Sequence, residues 1–179
     1  KVKGERRKER HSRRRFFLWG GISLLIVGAV VAAIPYNPYG RYKARQRAEA
    51  ARHYSRGLAL YRQGDYQKAA DAYRAAVQVD PKFAPAHHNL GLACLKQFKV
   101  EEAERAFQKA IQSDPKFVSA HNNLGLLYAE QKRHEEAIRE FQRAADLDST
   151  FAEALCNLGA SCADLGRADE ALRAYRRAL

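Results

Sequence analysis

Residues 84–117 read APAHHNLGLACLKQFKVEEAERAFQKAIQSDPKF and residues 118–151 read VSAHNNLGLLYAEQKRHEEAIREFQRAADLDSTF, so the two stretches align position by position. The pattern continues outward at the same spacing of 34 residues, into residues 50–83 before them and residues 152–179 after them. A fixed period of this length indicates a repeat architecture, in which each repeat packs mainly against its neighbours.

Four columns of the repeat, meaning positions 34 residues apart, keep one kind of side chain throughout. They are Gly57, Gly91, Gly125 and Gly159; Ala69, Ala103, Ala137 and Ala171; Tyr73, Phe107, Phe141 and Tyr175; and Ala76, Ala110, Ala144 and Ala178. Small residues let two helices pass closely, and we expect the aromatic column to fill the space between one repeat and the next. Asp-Pro at 80–81 and 114–115 ends a helix, because proline cannot continue one. Each repeat is therefore predicted to be a helical hairpin, and stacked hairpins share a core in a right-handed solenoid.

The period and the columns resemble the tetratricopeptide repeat (TPR) family over residues 50–179. The resemblance implies an all-α fold of about four helical hairpins, with repeats at 50–83, 84–117, 118–151 and 152–179. Two departures are Arg56, where the other repeats have leucine, and Phe98, where two repeats have a turn glycine. The fourth repeat stops six residues short of a period without a polar capping helix. We therefore expect the native chain to continue, or a partner to cover that end.

The charge of the chain is unevenly distributed. Lys and Arg number 32 against 20 Asp and Glu, a formal net charge of +12 at pH 7. Residues 1–15 carry nine basic and two acidic side chains, whereas residues 50–179 carry 19 basic and 17 acidic ones. A nucleic-acid-binding domain would carry the excess on its folded body. That class is therefore disfavoured, and we expect the basic tail to contact anionic lipid.

Residues 16–34, FFLWGGISLLIVGAVVAAI, contain no charged side chain. A helix of this length would span roughly 28 Å, close to the hydrocarbon thickness of a bilayer. We predict a basic tail at 1–15, a transmembrane helix at 16–34, a juxtamembrane linker or helix at 35–49 and the TPR domain at 50–179. Aromatic residues expected at the membrane interface are Trp19, Tyr36, Tyr39 and Tyr42. The alternatives are a cleaved signal peptide, whose apolar core is usually shorter, and a buried soluble helix.

The basic residues that flank the span predict its orientation, since Lys and Arg concentrate on the cytoplasmic side. Nine precede the span and five lie in residues 35–54, which predicts a cytoplasmic N-terminus and a TPR domain outside, in the periplasm of a bacterium. Residues 41–56 are charged, rich in alanine and free of proline, so we expect a helix there. Small residues let another membrane helix approach closely. The predicted packing face is Gly21, Leu25, Gly28 and Ala32.

The TPR resemblance implies that the first helix of each repeat lines a concave groove. Asn89, Asn123 and Asn157 form a row in that helix, with Ser55 in the first repeat. An amide both donates and accepts hydrogen bonds, so the row can bind the backbone of an extended peptide with little regard to its sequence. In this it resembles the asparagine ladder in the TPRs of the protein O-glycosyltransferase. Further groove candidates are Tyr54, Leu58, Tyr61, Arg62, His88, Leu92, Lys96, Asn122, Leu126 and Glu130.

One column of the groove changes sign along the chain, with basic residues in the first two repeats and acidic residues in the last two. Its members are Arg62, Lys96, Glu130 and Asp164. A ligand of mixed charge would dock on it in a preferred direction. The clamp with which some TPRs hold a chaperone's C-terminal carboxylate is absent, because only Asn89 fits. Tyr54, Leu58, Ser119 and Asn123 occupy its other positions.

The sequence contains no Gly-rich phosphate loop, nucleophile elbow or HExxH motif, so we predict neither an enzyme nor a cofactor. His53, His87 and His121 form a column whose helices would lie too far apart to hold one metal ion. We therefore predict no metal site. The three cysteines cannot form a fully paired disulfide framework, and Cys94 and Cys162 occupy interior positions typical of small core residues.

These observations favour a non-enzymatic, membrane-anchored scaffold for protein–protein interaction. It would be an accessory or assembly subunit of a larger complex, most simply in a bacterial inner membrane. Three alternatives stay open. They are a periplasmic chaperone that holds client chains on the asparagine row, the anchored docking region of a longer enzyme, and an organelle import receptor with the opposite topology.

Overall fold

The structure is a computed structural model in which residues 38–179 are described. The chain divides into two parts, Lys1–Tyr42 and Lys43–Leu179, and of the first part only the beginning of one helix is described. Residues 38–179 form eight α-helices and contain no strand. The helices are α1 (Pro38–Arg62), α2 (Tyr66–Val79), α3 (Ala84–Leu95), α4 (Val100–Ser113), α5 (Val118–Glu130), α6 (His134–Leu147), α7 (Ala152–Asp164) and α8 (Ala168–Ala178).

The helices pair as four hairpins, so the prediction of an all-helical solenoid is confirmed. The first helices of the hairpins are α1, α3, α5 and α7, and we call the surface that they form the first-helix face. The second helices are α2, α4, α6 and α8, and they form the second-helix face. The helix predicted over residues 41–56 lies within α1, which runs without a break into the first hairpin.

The predicted transmembrane helix at 16–34, its packing face and the interface residues Trp19 and Tyr36 lie outside the described residues. Within residues 38–179, no helix has both the length and the apolar character needed to cross a bilayer. Tyr39 and Tyr42, also predicted at the interface, are 65% and 58% exposed.

Each hairpin is joined to the next by a turn that an aspartate stabilises. Asp80, Asp114 and Asp148 end α2, α4 and α6 in extended backbone. Each aspartate side chain accepts a hydrogen bond from the backbone N–H two residues on, at 2.9–3.1 Å. The third turn has this geometry although Ser149 replaces the proline of the other two. The aspartate therefore defines the turn, and the proline only prevents the helix from continuing.

Each hairpin closes where an aromatic ring of its second helix lies against a glycine of its first helix. A Cβ atom placed on Gly91 or Gly125 would come within 2.6 Å or 2.7 Å of the ring of Phe107 or Phe141. The same contact recurs at Gly57 with Tyr73 and at Gly159 with Tyr175. Glycine thus leaves room for the ring inside its own hairpin. The ring also contributes to packing between repeats, as expected, since Tyr73 shares a buried cluster with Ala93 of the next repeat.

The core runs along the stack between the two faces. Alanines and the aromatic rings are buried in the first three hairpins, where Tyr73, Phe107 and Phe141 are at most 1% exposed. In the fourth hairpin Tyr175 is 40% exposed, because no further helix among the described residues packs on it. Leu124 and Leu158 are buried, whereas Arg56 in the same column is exposed, as predicted for the first repeat.

Candidate functional site

The row of asparagines on the first-helix face forms hydrogen bonds from one repeat to the next. The Asn89 amide nitrogen donates to the hydroxyl of Tyr54 at 2.9 Å, which joins α3 to α1. The Asn157 amide donates to Asn122 Oδ1 at 3.1 Å, which joins α7 to α5. Between them, the Asn123 amide lies 2.7 Å from His88 Nε2 and joins α5 to α3. Each asparagine thus bonds to the residue 35 positions before it.

His88 is the middle member of this network, and both of its ring nitrogens are used. The Asn123 amide donates to Nε2, so the ring proton is on Nδ1, which donates to Asn89 Oδ1 at 3.1 Å. The ring also packs against Phe107 and Phe117, with centroids 5.7 Å and 5.0 Å away. Burial lowers the pKa of His88, because a charged imidazole would lose its hydration there.

The network fixes the orientation of the asparagine side chains. An amide group carries two N–H donors and a carbonyl acceptor, and each bond to the preceding repeat uses one donor. Asn89, Asn123 and Asn157 are half-buried, so part of each residue remains accessible to a ligand. The row therefore presents hydrogen-bonding groups at a regular spacing on a rigid support.

The other groove candidates differ in exposure. His88 and Asn122 are only 8% and 2% exposed, so they position neighbouring amides and offer little surface to a ligand. Tyr54, Leu58, Tyr61, Leu92 and Leu126 are half-buried. Ser55 and the charged column Arg62, Lys96, Glu130 and Asp164 are exposed. The first-helix face therefore combines a fixed amide row, a partly exposed leucine column and a charged margin.

Two contacts on this face were not foreseen from the sequence. Asn122 also donates to Glu153 Oε1 at 2.9 Å, and His121 Nδ1 lies 2.7 Å from Glu140 Oε2. The pairing of residues 35 apart could have been found from the sequence. The residue 35 positions before each asparagine lies in the preceding repeat, one position before the asparagine column. That column holds Tyr, His and Asn, all of which can accept a hydrogen bond.

Metal sites and reactive cysteines are two other kinds of site to consider in the part of the chain that the structure describes. No group of three or more His, Cys, Asp and Glu residues within 38–179 could hold a metal ion. Cys94 and Cys162 are buried, as expected, and burial raises the pKa of both thiols. A thiol with a raised pKa carries little thiolate, so neither cysteine is activated as a nucleophile. Cys156 is exposed and unpaired.

Family models described as tetratricopeptide repeat match residues 54–115 and 88–150, and a further model of that description matches residues 152–177. No curated relative matches the chain. Among solved structures, MamA is similar at 24% identity and a TM-score of 0.69, with 76% of this chain and 82% of MamA covered. PilF of Pseudomonas aeruginosa is similar at 25% identity and a TM-score of 0.67, with 75% and 61% covered.

A third similar structure is the first TPR of Spaghetti (RPAP3) bound to the HSP90 peptide SRMEEVD. It shares 22% identity with a TM-score of 0.65, and 67% of this chain and 95% of that chain are covered. At such identities the likeness of RPAP3 and MamA shows the fold alone.

Proposed function

The chain belongs to the tetratricopeptide repeat family, and on that premise we propose that it is a non-enzymatic scaffold that binds partner proteins. In this proposal the first-helix face binds an extended segment of a partner, and residues 16–34 anchor the repeats to a membrane. The protein would then be an accessory or assembly subunit of a larger complex, most simply in a bacterial inner membrane. The similar RPAP3 structure holds a peptide, which supports the use of this fold in peptide binding.

The observation that carries the proposal is the set of hydrogen bonds between repeats. They hold the amides of Asn89, Asn123 and Asn157 in fixed orientations before any ligand arrives. Fixing the binding groups in advance reduces the entropy that is lost on association. The free donors and acceptors of a row of amides match the N–H and C=O groups of an extended backbone.

The chemistry of the rest of the face indicates what the segment should contain. The partly exposed column of Leu58, Leu92 and Leu126 favours apolar side chains at intervals. The charged margin is basic at Arg62 and Lys96 and acidic at Glu130 and Asp164, which favours a segment with charges of both signs. An acidic C-terminal tail is not expected, since the residues that would clamp its carboxylate are replaced at all positions except Asn89.

The groove is tested by replacing its amides in the full chain. Asn123→Ala with Asn157→Ala should reduce the co-purification of partners from native membranes at least fivefold. The matched control is Gln67→Ala with Gln112→Ala, which removes two exposed amides from α2 and α4 and should have no effect. Thermal unfolding of both variants separates lost binding from lost folding. Equal partner recovery from both variants would refute binding through the asparagine row.

The membrane anchor rests on sequence arguments: the uncharged run at 16–34, its aromatic flanks and the basic residues before it. It predicts that the chain stays in membranes washed at alkaline pH. A reporter fused after Leu179 should be active if it requires the periplasm and inactive if it requires the cytoplasm. The reverse pattern would support the import-receptor topology.

A client-binding chaperone is the second candidate. It is favoured because a row of amides can bind the backbone N–H and C=O groups of a segment with little regard to its side chains. Gentle detergent extraction of native membranes, followed by sizing and mass spectrometry, separates the two functions. A stoichiometric set of membrane subunits would support the scaffold. Many weak and variable companions would support the chaperone and would remove the scaffold proposal.

A further inference from the structure

A cleft of about 550 Å³ lies on the second-helix face between α6 and α8. Its volume is within the range of ligand-binding clefts. Its apolar lining comes from α6, α7 and α8, and consists of Ile138, Leu158, Cys162 and Ala174. The asparagine row is on the first helices, of which α7 contributes only the buried Leu158 and Cys162 to the cleft. Binding in the cleft would therefore be a second interaction, beyond the proposed function.

Four arginines border this cleft, in two matching pairs. Arg139 and Arg143 are one helical turn apart on α6, and Arg173 and Arg177 occupy the equivalent positions on α8. The same two columns hold Arg105 and Lys109 on α4. All six side chains are exposed. The second helices therefore carry a basic stripe across three hairpins, and it borders an apolar cavity between the last two.

The chain's own carboxylates balance the charge of the basic stripe only in part. Among residues 38–179, none of these six cations forms an ion pair. Acidic residues near the starts of the second helices are instead paired elsewhere. Glu102 bonds to Arg74, Glu135 to Arg167, and Glu136 to Arg133. Asp146 and Glu170 also line the cleft, so its four guanidinium groups keep an excess of two positive charges, which a ligand that supplies carboxylates would balance.

We propose that the α6–α8 cleft is a second docking site, which binds a short acidic segment of a partner protein that carries at least one large apolar side chain. Guanidinium groups pair with carboxylates through two parallel hydrogen bonds, and pairs one turn apart on facing helices suit successive acidic residues. The apolar side chain would fill the cavity over Leu158 and Cys162. Contact with such a lining removes apolar surface of the ligand from water.

The observations favour this ligand over three others. The phosphate groups of nucleic acid or of lipid heads gain nothing from the apolar lining, whereas an acidic segment with a large apolar side chain uses both the arginines and that lining. A second copy of the chain would present acidic helix starts, of which Glu102, Glu135 and Glu136 are already engaged by arginines. Self-association through the remaining ones, Glu101 and Asp169, is an outcome that the test detects.

The test uses the full 179-residue chain in a zwitterionic detergent. The probe is a fluorescein-labelled peptide, DEELEDLFDEE, and its binding is followed by fluorescence anisotropy at low and moderate salt. Arg139→Glu with Arg173→Glu should weaken binding at least tenfold. The matched control, Lys82→Glu with Lys116→Glu, makes the same change of net charge at exposed residues in the turns between hairpins, outside both proposed sites, and should weaken binding no more than threefold. Both variants keep the basic tail, so contact of the peptide with residues 1–15 cancels.

A peptide of the same length with Gln and Asn in place of the acidic residues should not bind, and one with Ala in place of Leu and Phe should bind more weakly. A photo-crosslinker on the phenylalanine should attach to residues of α6, α7 or α8. The proposal is overturned if both variants lose affinity equally, or if crosslinks fall only on the tail. It is also overturned if an oligonucleotide or anionic vesicles compete better than the peptide, or if Arg139→Glu with Arg173→Glu abolishes self-association of the chain.

Discussion

The turn inside each hairpin requires one residue in left-handed backbone, and two of the four residues there are not glycine. Phe98 and Lys132 have φ angles of 59° and 63°, and Gly64 and Gly166 have φ angles of 80° and 72° in the same column. A side chain in this region costs roughly 1–2 kcal/mol, because Cβ crowds the following carbonyl oxygen. Phe98 is also 91% exposed, so its ring recovers little of that free energy by burial.

Replacing Phe98 by glycine should therefore stabilise the protein. We expect Phe98→Gly to raise the free energy of unfolding by about 0.5–1 kcal/mol, after allowing for the greater freedom of glycine in the unfolded chain. Urea denaturation followed by circular dichroism measures this. Phe98→Ala is the control, since it removes the ring and keeps the strained backbone, and it should not stabilise. Gly166→Ala should destabilise, although nothing lies within 4 Å of the added Cβ.

His88 links two repeats only while it is neutral, since its Nε2 must accept the Asn123 amide hydrogen. Burial lowers the pKa of His88 in the folded protein, so the unfolded chain binds a proton at a higher pH than the folded one. The free energy of unfolding should then decrease as the pH falls below about 6.5 towards the lowered pKa of the folded protein. Above that window the imidazole is neutral in both states and contributes no dependence on pH.

The matched variant is His88→Asn, because asparagine already stands in this column at Asn122 and accepts a bond from Asn157 there. Its free energy of unfolding should vary less between pH 7 and pH 5 than that of the native protein. Gln112→Ala, which changes an exposed side chain that does not titrate, serves as the control and should keep the native slope. An unchanged slope in His88→Asn would show that this network does not respond to pH.

At the scale of the helical element, the contact between glycine and an aromatic ring sets how closely the two helices of a hairpin approach. We expect Gly125→Ala to destabilise the protein by about 1–3 kcal/mol, because the new Cβ would come within 2.7 Å of the buried Phe141 ring. Inside a helix, replacing glycine by alanine normally raises the free energy of unfolding by ~1 kcal/mol. The change expected at Gly125 has the opposite sign.

A double-mutant cycle isolates that contact. Phe141→Leu shortens the ring side chain, so adding it to Gly125→Ala should recover part of the lost stability, and the two effects should not be additive. Additive effects would show that the glycine is needed for a reason other than the ring.

At the scale of the whole molecule, the repeats are chemically alike but not equally packed. Phe141 has a hairpin on both sides and is 1% exposed, whereas Tyr175 in the last hairpin is 40% exposed. In a solenoid each hairpin is stabilised by its neighbours, so the last one should be the least protected. Amide hydrogen exchange should be faster in α8 than in α4 or α6.

Replacing each of the two rings, Phe141 and Tyr175, by alanine measures this difference in packing as a difference in the free energy of unfolding. Phe141→Ala should reduce the free energy of unfolding by roughly 3–5 kcal/mol, as is usual for a buried ring. Tyr175→Ala, the same change in the same column, should cost about half of that or less, since much of its ring is already in water. Equal losses in urea denaturation would contradict the gradient of packing along the stack.

Helix order, hairpin boundaries and the family could be predicted from the sequence, because the 34-residue period places glycine, alanine and aromatic columns at positions that only a helical hairpin explains. The asparagine row could be located for the same reason. Its hydrogen bonds could not, because they join residues 35 apart whose side-chain directions depend on how neighbouring hairpins stack. The exposure of the last ring likewise depends on what packs beside it.

The sequence by itself determined the repeat, since local helix formation and the turns at Asp80, Asp114 and Asp148 depend on residues close together in the chain. Only the tertiary structure decided that each aromatic ring contacts the glycine of its own hairpin, that His88 joins two asparagines, and that four arginines meet around one cleft. The physical reason is distance along the chain. Those contacts bring together side chains from different helices, and their geometry depends on the packing of whole hairpins.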